Sequence, residues 1–359
     1  MKKLLALAAA AFVFAFALSC GDDDGPGPTP QPQWEKVNVH AAAPAVDTSL
    51  VMAGDGAAHV AFMDNSGQSL VVYATYKDNS LVVRAVGSSG YGEGKEASLA
   101  LDGGDEPHIA FYGGRPVYDL FYNNMRGSGF VTVDDDGNVG RRPSIGTDAA
   151  KHPHISYYDE TSGVLNYARF DGKKWRLEVV EGSADVGLYS SLALDTGGNS
   201  HVAYYDRTNG SLKYAWSEKG FWDFETVDGA GDVGKRPALV LDDAGNPHIL
   251  YNDVDNGRLK YATRAGGTWQ KTALSFAVAG GTGAALALDS SGAPHVAFYN
   301  ASAKNVTYAH KKGGDWATSV VASCYDAGGR CGLALGSDGT PRVTYFDPAA
   351  GQVVYAYEK

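Results

Sequence analysis

The sequence predicts an all-β fold, a seven-bladed β-propeller with four antiparallel strands per blade and a ring closed by the N-terminal strand completing the last blade. Three observations carry that expectation. The chain of 359 residues holds 46 Gly, 21 Tyr and 13 Phe but only 4 Met. Beyond its first twenty residues it has no long apolar run at helical spacing, so it reads as strands joined by tight turns. One motif recurs along the rest of the chain, and the two ends carry complementary fragments of a repeat.

The motif is His, an aliphatic residue, a small residue and one or two aromatics, often ending in Asp. Its copies begin at His59, His108, His154, His201, His248, His295 and Arg342, so successive separations are 49, 46, 47, 47, 47 and 47. Within one unit, Ser191–Asp195, His201–Asp206, Ser211–Ala215 and Phe221–Val227 are strand-length segments separated by Gly-rich turns. Four short strands at this period make a propeller blade, because solenoids of similar period carry helices. In the second strand, Ile155 and Tyr157 should face one neighbouring blade, and His154, Ser156 and Tyr158 the other.

The ends complement each other. A fourth-strand Trp recurs at Trp175, Trp222, Trp269 and Trp316, and Trp34 opens a like segment, Trp34–Val39, before any complete blade. The C-terminus stops after a third strand, Val353–Tyr357. Residues 34–359 therefore form the propeller, with Trp34–Val39 as the outer strand of the last blade, leaving no sheet edge bare there.

Residues 1–19 are read as a leader. Lys2 and Lys3 precede an apolar run, Leu4–Leu18, too short for a comfortable span. The run ends in Ala17-Leu18-Ser19-Cys20, which resembles the lipobox of bacterial lipoproteins; the resemblance implies lipidation of Cys20. An ordinary secretory leader with an unlipidated Cys20 is the alternative. Residues 20–33 are Pro-, Gly- and Asp-rich, an extended tether reaching ~40 Å at ~3.1 Å per residue. In such lipoproteins an Asp after the Cys often signals inner-membrane retention, and Gly21 stands there instead, so the resemblance implies the outer membrane. Cys324 and Cys331, seven apart in a Gly-rich stretch, are expected to form a loop-closing disulfide; zinc ligation is the alternative, poorly served by two thiols without clustered His.

Residues recurring in every blade serve the blade, and a site appears where the repeat breaks. The six blade histidines are accordingly architectural, each ring bonded at the start of its strand. The Asp column at 102, 148, 195, 242 and 289 is assigned to turns. Asp159, Asp206 and Asp253, at the ends of second strands, are assigned likewise, although carboxylates gathered on one face could hold a cation or a sugar. The repeat breaks in the loops entering each first strand, where positions twelve and thirteen before the blade histidine include Lys95, Arg141, Arg142, Lys235, Arg236 and Arg330. These form a cationic rim at the channel mouth on a chain of net charge -11, a local attractor for an anionic ligand unless pairs such as Asp232 with Arg236 and Asp326 with Arg330 neutralise it.

Other classes are excluded or unsupported. The acidic balance lacks a basic stripe for nucleic acid, and no Gly-rich loop joins a strand to a helix to cradle phosphate. No cofactor or metal is implied. The nearest calcium-like loop, Asp134-Asp-Asp-Gly137, reads as a solvated turn.

Asp242-Asp-Ala-Gly-Asn-Pro-His248-Ile and Asp289-Ser-Ser-Gly-Ala-Pro-His295-Val resemble the repeats of bacterial BNR-like propellers, a broad group that includes sialidases, propeller lectins and polysaccharide lyases. The resemblance spans nearly the whole chain after the tether. The full Asp-box, Ser-x-Asp-x-Gly-x-Thr-Trp, is absent, and the arginine triad of sialidases cannot be placed residue by residue. The expected function is a monomeric, non-enzymatic module of the cell envelope, tethered by lipid alone, that receives a glycan or protein through its channel-mouth loops. A lyase acting on an acidic polysaccharide, using Arg141, Arg142 and Tyr189, is the alternative, and an assembly scaffold is a third reading.

Overall fold

The computed structural model describes residues 32–359 apart from 43–46, 65–69, 88–95, 115, 128, 219, 279–281 and 325–328. The leader, Cys20, nearly all of the tether and Lys95 lie outside the described residues. The described chain folds into seven four-stranded antiparallel sheets. Strands are numbered β1 to β28 in chain order. The first blade is β2 (Thr48–Met52), β3 (Ala58–Asp64), β4 (Leu70–Lys77) and β5 (Ser80–Gly87), and the same order repeats through the sixth blade. The seventh blade comprises β26 (Gly332–Leu335), β27 (Pro341–Asp347), β28 (Gln352–Glu358) and, as its outer strand, β1 (Trp34–Ala41). Trp34 pairs with Glu358 and Val37 with Tyr355, so the predicted closure holds and runs two residues beyond Val39, past a bulge between Asn38 and His40.

The innermost strands touch one another in sequence around the ring, and β26 returns to β2. Among the described residues the buried apolar side chains fall into seven clusters, one at each interface between blades. Ile155 and Tyr157 of β11 (Pro153–Asp159) join Leu120 and Tyr122 of the preceding blade. The other face of β11 meets the next blade, where Ser156 hydrogen-bonds Ser190 at 2.9 Å. Both faces of each second strand are thus consumed by packing, as the alternation of small and large residues predicts.

The recurrent residues turn out to be partners. The third-strand Tyr hydroxyl meets the blade-histidine Nδ1 in each of six blades: Tyr73 with His59 at 2.6 Å, Tyr122 with His108 at 2.7 Å, then Tyr167 with His154, Tyr214 with His201, Tyr261 with His248 and Tyr308 with His295. In five blades the other ring nitrogen faces the turn Asp at 3.4–3.8 Å. That Asp caps its turn, as Asp242 does by accepting the Ala244 and Asn246 N–H groups. The next fourth-strand Trp then closes edge-on over a ring of the preceding blade: Trp175 on Tyr122, Trp222 on Tyr167, Trp269 on Tyr214, Trp316 on Phe276 and Trp34 on Tyr308. Each contact of this type contributes about 1 kcal/mol beyond burial.

Cys324 and Cys331 are both buried in the core between the sixth and seventh blades, and no disulfide joins them in this structure. In the Asp134-Asp-Asp-Gly137 turn, Asp135, Asp136 and Gly137 are exposed as expected, while Asp134 is buried and accepts the Tyr157 hydroxyl across the blade interface at 2.6 Å.

Burial holds all six blade histidines below their usual pKa, against the opposing pull of nearby carboxylates. The unfolded chain therefore takes up protons first as pH falls, and stability is lost from about pH 6.5 down through the folded-state values. We expect the melting temperature to fall as pH is lowered from 7 to 5. Replacing His201 with Gln should flatten that dependence, measured by calorimetry across the same range.

Candidate functional site

The loops entering the first strands lie on one face with the ends of the second strands: Arg141 pairs with Tyr158, Val186 with Asp206 and Val233 with Asp253. In the third, fourth and fifth blades these first strands are β10 (Arg141–Thr147), β14 (Val186–Leu194) and β18 (Val233–Leu241). Each starts at a glycine the fold cannot replace. Gly187 has φ 103°, and a Cβ there would stand 2.7 Å from Leu165 Cα; Gly140 and Gly234 repeat the situation against Leu120 and Leu212. Two residues on, Arg142, Tyr189 and Arg236 adopt φ 53°, 61° and 50°, within shifts of register. A bulge re-aims a side chain that a regular ladder would have placed between blades. Here it turns the residue into the channel mouth.

Taken around the ring, the position twelve before the motif is Asp47, Glu96, Arg142, Tyr189, Arg236, Gly283 and Arg330. These residues line a central cavity of about 200 Å³, except Gly283, which backs Arg330. Asp47 sits at its hub. Arg142 Nη1 reaches Asp47 Oδ2 at 2.6 Å, Arg236 Nη1 reaches it at 3.3 Å, and the Arg330 backbone N–H donates to Oδ1 at 2.7 Å. Glu96 takes the other side of Arg142, through Nε and the backbone N–H, both at 2.7 Å. The Tyr189 ring lies between two guanidiniums, Arg142 at 5.1 Å and Arg236 at 5.0 Å, an arrangement favoured by the ring quadrupole. Below the mouth, Ser49, Ser98, Ser144 and Ser191 each accept a backbone N–H from the next blade's first strand at 3.0–3.2 Å, stitching neighbouring inner strands.

The charges respond to this packing. Burial works against ionising Asp47, but Arg236 and Arg142 outweigh it and hold the carboxyl below its ordinary range. Burial lowers the Arg330 pKa, and Arg236 and Arg142 push the same way while Asp47 opposes them. For Arg142, burial is overcome by Glu96 and Asp47, and its pKa rises.

The predicted pairings come out differently. Asp232 binds Lys235 at 2.6 Å, leaving Arg236 to Asp47. Asp326 lies outside the described residues, as does Lys95. Arg141 pairs with Glu160 at 2.7 Å beside Tyr112. Asp159, Asp206 and Asp253 are not gathered into a ligand site; each is buried and caps its own turn, Asp159 through Thr161 and Ser162, Asp206 through Asn209 and Asp253 through Asn256 and Arg258. Among the described residues no group of three or more His, Cys, Asp or Glu is arranged to hold a metal ion. The sequence reading missed Asp47 and Glu96, which stand in the same column as the basic residues it selected.

A second hollow of about 380 Å³ adjoins the mouth over the third to fifth blades and shares Arg142 and Tyr189 with the cavity. Its walls include Tyr158, Tyr205, Arg207 and Lys235. The two phenols are committed to Asp185 at 2.8 Å and Asp232 at 2.7 Å, which fixes their rings. Burial pushes Tyr158 up to about 12, and Tyr205 is raised by the same cause, so neither phenol is poised as a base.

No protein-family model matches the chain, and no curated protein matches it. Solved structures do share the fold. The SapL1 lectin in complex with α-methyl fucoside aligns at TM-score 0.57 and 13% identity, over 79% of this chain and 98% of its own. The Aleuria aurantia lectin with Fucα1-6GlcNAc aligns at TM-score 0.53 and 15% identity, over 78% and 96%. A Hadza microbial sialidase aligns at TM-score 0.54 and 11% identity, over 90% of this chain and 68% of its own. At these identities the likeness shows the propeller fold.

Asp47 is the counter-charge for a buried cationic cluster, so truncating it leaves like charges facing one another. Asp47→Ala is expected to cost about 3 kcal/mol of stability, read as a lowered urea midpoint with unchanged slope.

Proposed function

We propose that this propeller is a non-catalytic glycan-binding module of the cell envelope that receives a sugar on its channel-mouth face. The carrying observation is the hollow over the third to fifth blades, where Tyr189, Arg207 and Lys235 border a floor made in part by the buried, hydrogen-bonded rings of Tyr158 and Tyr205. Sugars present apolar C–H faces edged by hydroxyls, and a concave site with a partly open aromatic ring and charged donors on a rigid floor matches both features. The lectins among the fold neighbours, one carrying a fucoside and one a fucosylated disaccharide, support the reading. The lyase alternative draws less support, because Arg141 is paired with Glu160, Arg142 with Asp47 and Glu96, and the Tyr189 ring is held against Arg142 and Arg236.

The lipobox-like Cys20 and the tether support anchoring by a lipid. In the native host, Cys20→Ser should shift the protein from the detergent-rich to the aqueous phase on Triton X-114 partitioning; unchanged partitioning would remove the anchor from this proposal.

A glycan array probed with the full chain tests the function. We expect Arg207→Ala, exposed in the lining of the hollow, to weaken the strongest hit tenfold or more, and Arg169→Ala, at the opposite ends of the strands, to leave it unchanged. An array without any bound sugar, or equal losses in both variants, would overturn the reading.

A further inference from the structure

The seven residues at the mouth position do not balance. Three guanidiniums, Arg142, Arg236 and Arg330, face two carboxylates, Asp47 and Glu96, which leaves one unit of positive charge at the rim. Both carboxylates are engaged with Arg142, and Asp47 also takes Arg236. Among the described residues no carboxylate lies within ion-pairing distance of the Arg330 guanidinium and no side chain accepts a hydrogen bond from it, while the residue lines the cavity. Arg236 Nε is buried with no hydrogen-bond partner. The surplus charge and the unmet donors therefore belong to the same wall.

The sixth position leaves room for that wall. Gly283 stands beside Arg330, and a Cβ there would lie 2.8 Å from Arg330 Cβ and Cγ, so a larger residue would drive the arginine from its place. The neighbouring rim cations are already spoken for, Arg141 by Glu160 and Lys235 by Asp232.

We infer that the channel mouth is a site for one monoanionic oxyanion carried on a sugar, a uronate carboxylate or a sulfate ester, seated against Arg330 and Arg236 with Asp47 as a resident competitor for the same cations. A single negative charge completes the balance, whereas a phosphate dianion would overshoot it. The planar guanidinium fork suits a two-oxygen acceptor, and a partly desolvated site strengthens the pairing. The inference rests on the glycan-binding reading and adds the charge of the ligand to it. The shared Arg142 and Tyr189 connect this pocket to the aromatic hollow, so a sugar ring in the hollow can place its acidic group at the mouth.

Titration calorimetry of the full chain with three probes tests the site: glucuronate, its neutral methyl ester and glucose 6-sulfate. We expect saturable binding of glucuronate or the sulfate, at least tenfold tighter than the ester, and the better of the two names the group. Arg330→Gln should remove that tenfold preference, and Asp47→Asn, which keeps an acceptor for the Arg330 N–H, should enlarge it. Circular dichroism melting identifies variants that remain folded, and Gly283→Ala, which disturbs Arg330 without altering any charge, serves if Asp47→Asn does not; it should weaken glucuronate more than ester. Equal binding of acid and ester, or a preference untouched by Arg330→Gln, overturns the site. If array sugars still bind under that result, the glycan reading survives; if none bind, both fall.

Discussion

A twisted four-stranded sheet with two apolar faces is stable only between two neighbours, and seven such sheets obtain fourteen covered faces only when the seventh meets the first. The ladder between β1 and β28 provides that meeting. It completes the last blade, places Trp34 over Tyr308 of the sixth, and encloses the core shared by the seventh and first blades. The channel mouth exists because of this constraint. Asp47, at the start of the first blade, can reach Arg330, which precedes the last, because the ring is closed between them.

Within the closed ring, two classes of residue do separate work. The Tyr and His columns bond each other within six blades, the turn Asp faces the ring in five of them and the Trp column closes five interfaces, so their regularity carries no ligand information. The mouth position lies just before the first strand or, in the third to fifth blades, on a bulge within it, and can differ from blade to blade without disturbing the packing. The acid at the hub arises from this freedom. So does the crowding of three arginines around it.

Most of the architecture was legible because it is periodic. A 47-residue spacing, paired columns of aromatic residues and a displaced Trp fix blade number, strand order and closure without knowledge of any contact. The site was legible only in part. Searching for basic residues found Arg142, Arg236 and Arg330 but passed over Asp47 and Glu96, although alignment on the motif puts all five in one column. Pairing Asp232 with Arg236 by their spacing of four failed for a geometric reason: the bulge turns Arg236 inward and leaves Lys235 outside beside the acid. The cysteines were close enough in sequence for a loop-closing bridge, but sequence spacing gives no account of the apolar core that holds both thiols. The run of three acids was read correctly as a solvated turn at Asp135 and Asp136, but the spacing gave no sign that a neighbouring blade brings a phenol to Asp134.

The sevenfold count at the mouth has a consequence for how anything seated there would lie. An odd-membered ring has no arrangement in which opposite charges alternate all the way round, and this one places its two acids on adjacent blades and its three cations on the third, fifth and seventh. The field across the opening is therefore lopsided, with a dipole in the plane of the disc rather than only along the channel axis. A scaffold whose backbone is nearly rotationally symmetric thus presents a face with one preferred heading. Exchanging a single residue on any one bulge would rotate that heading while the blades beneath stayed where they are.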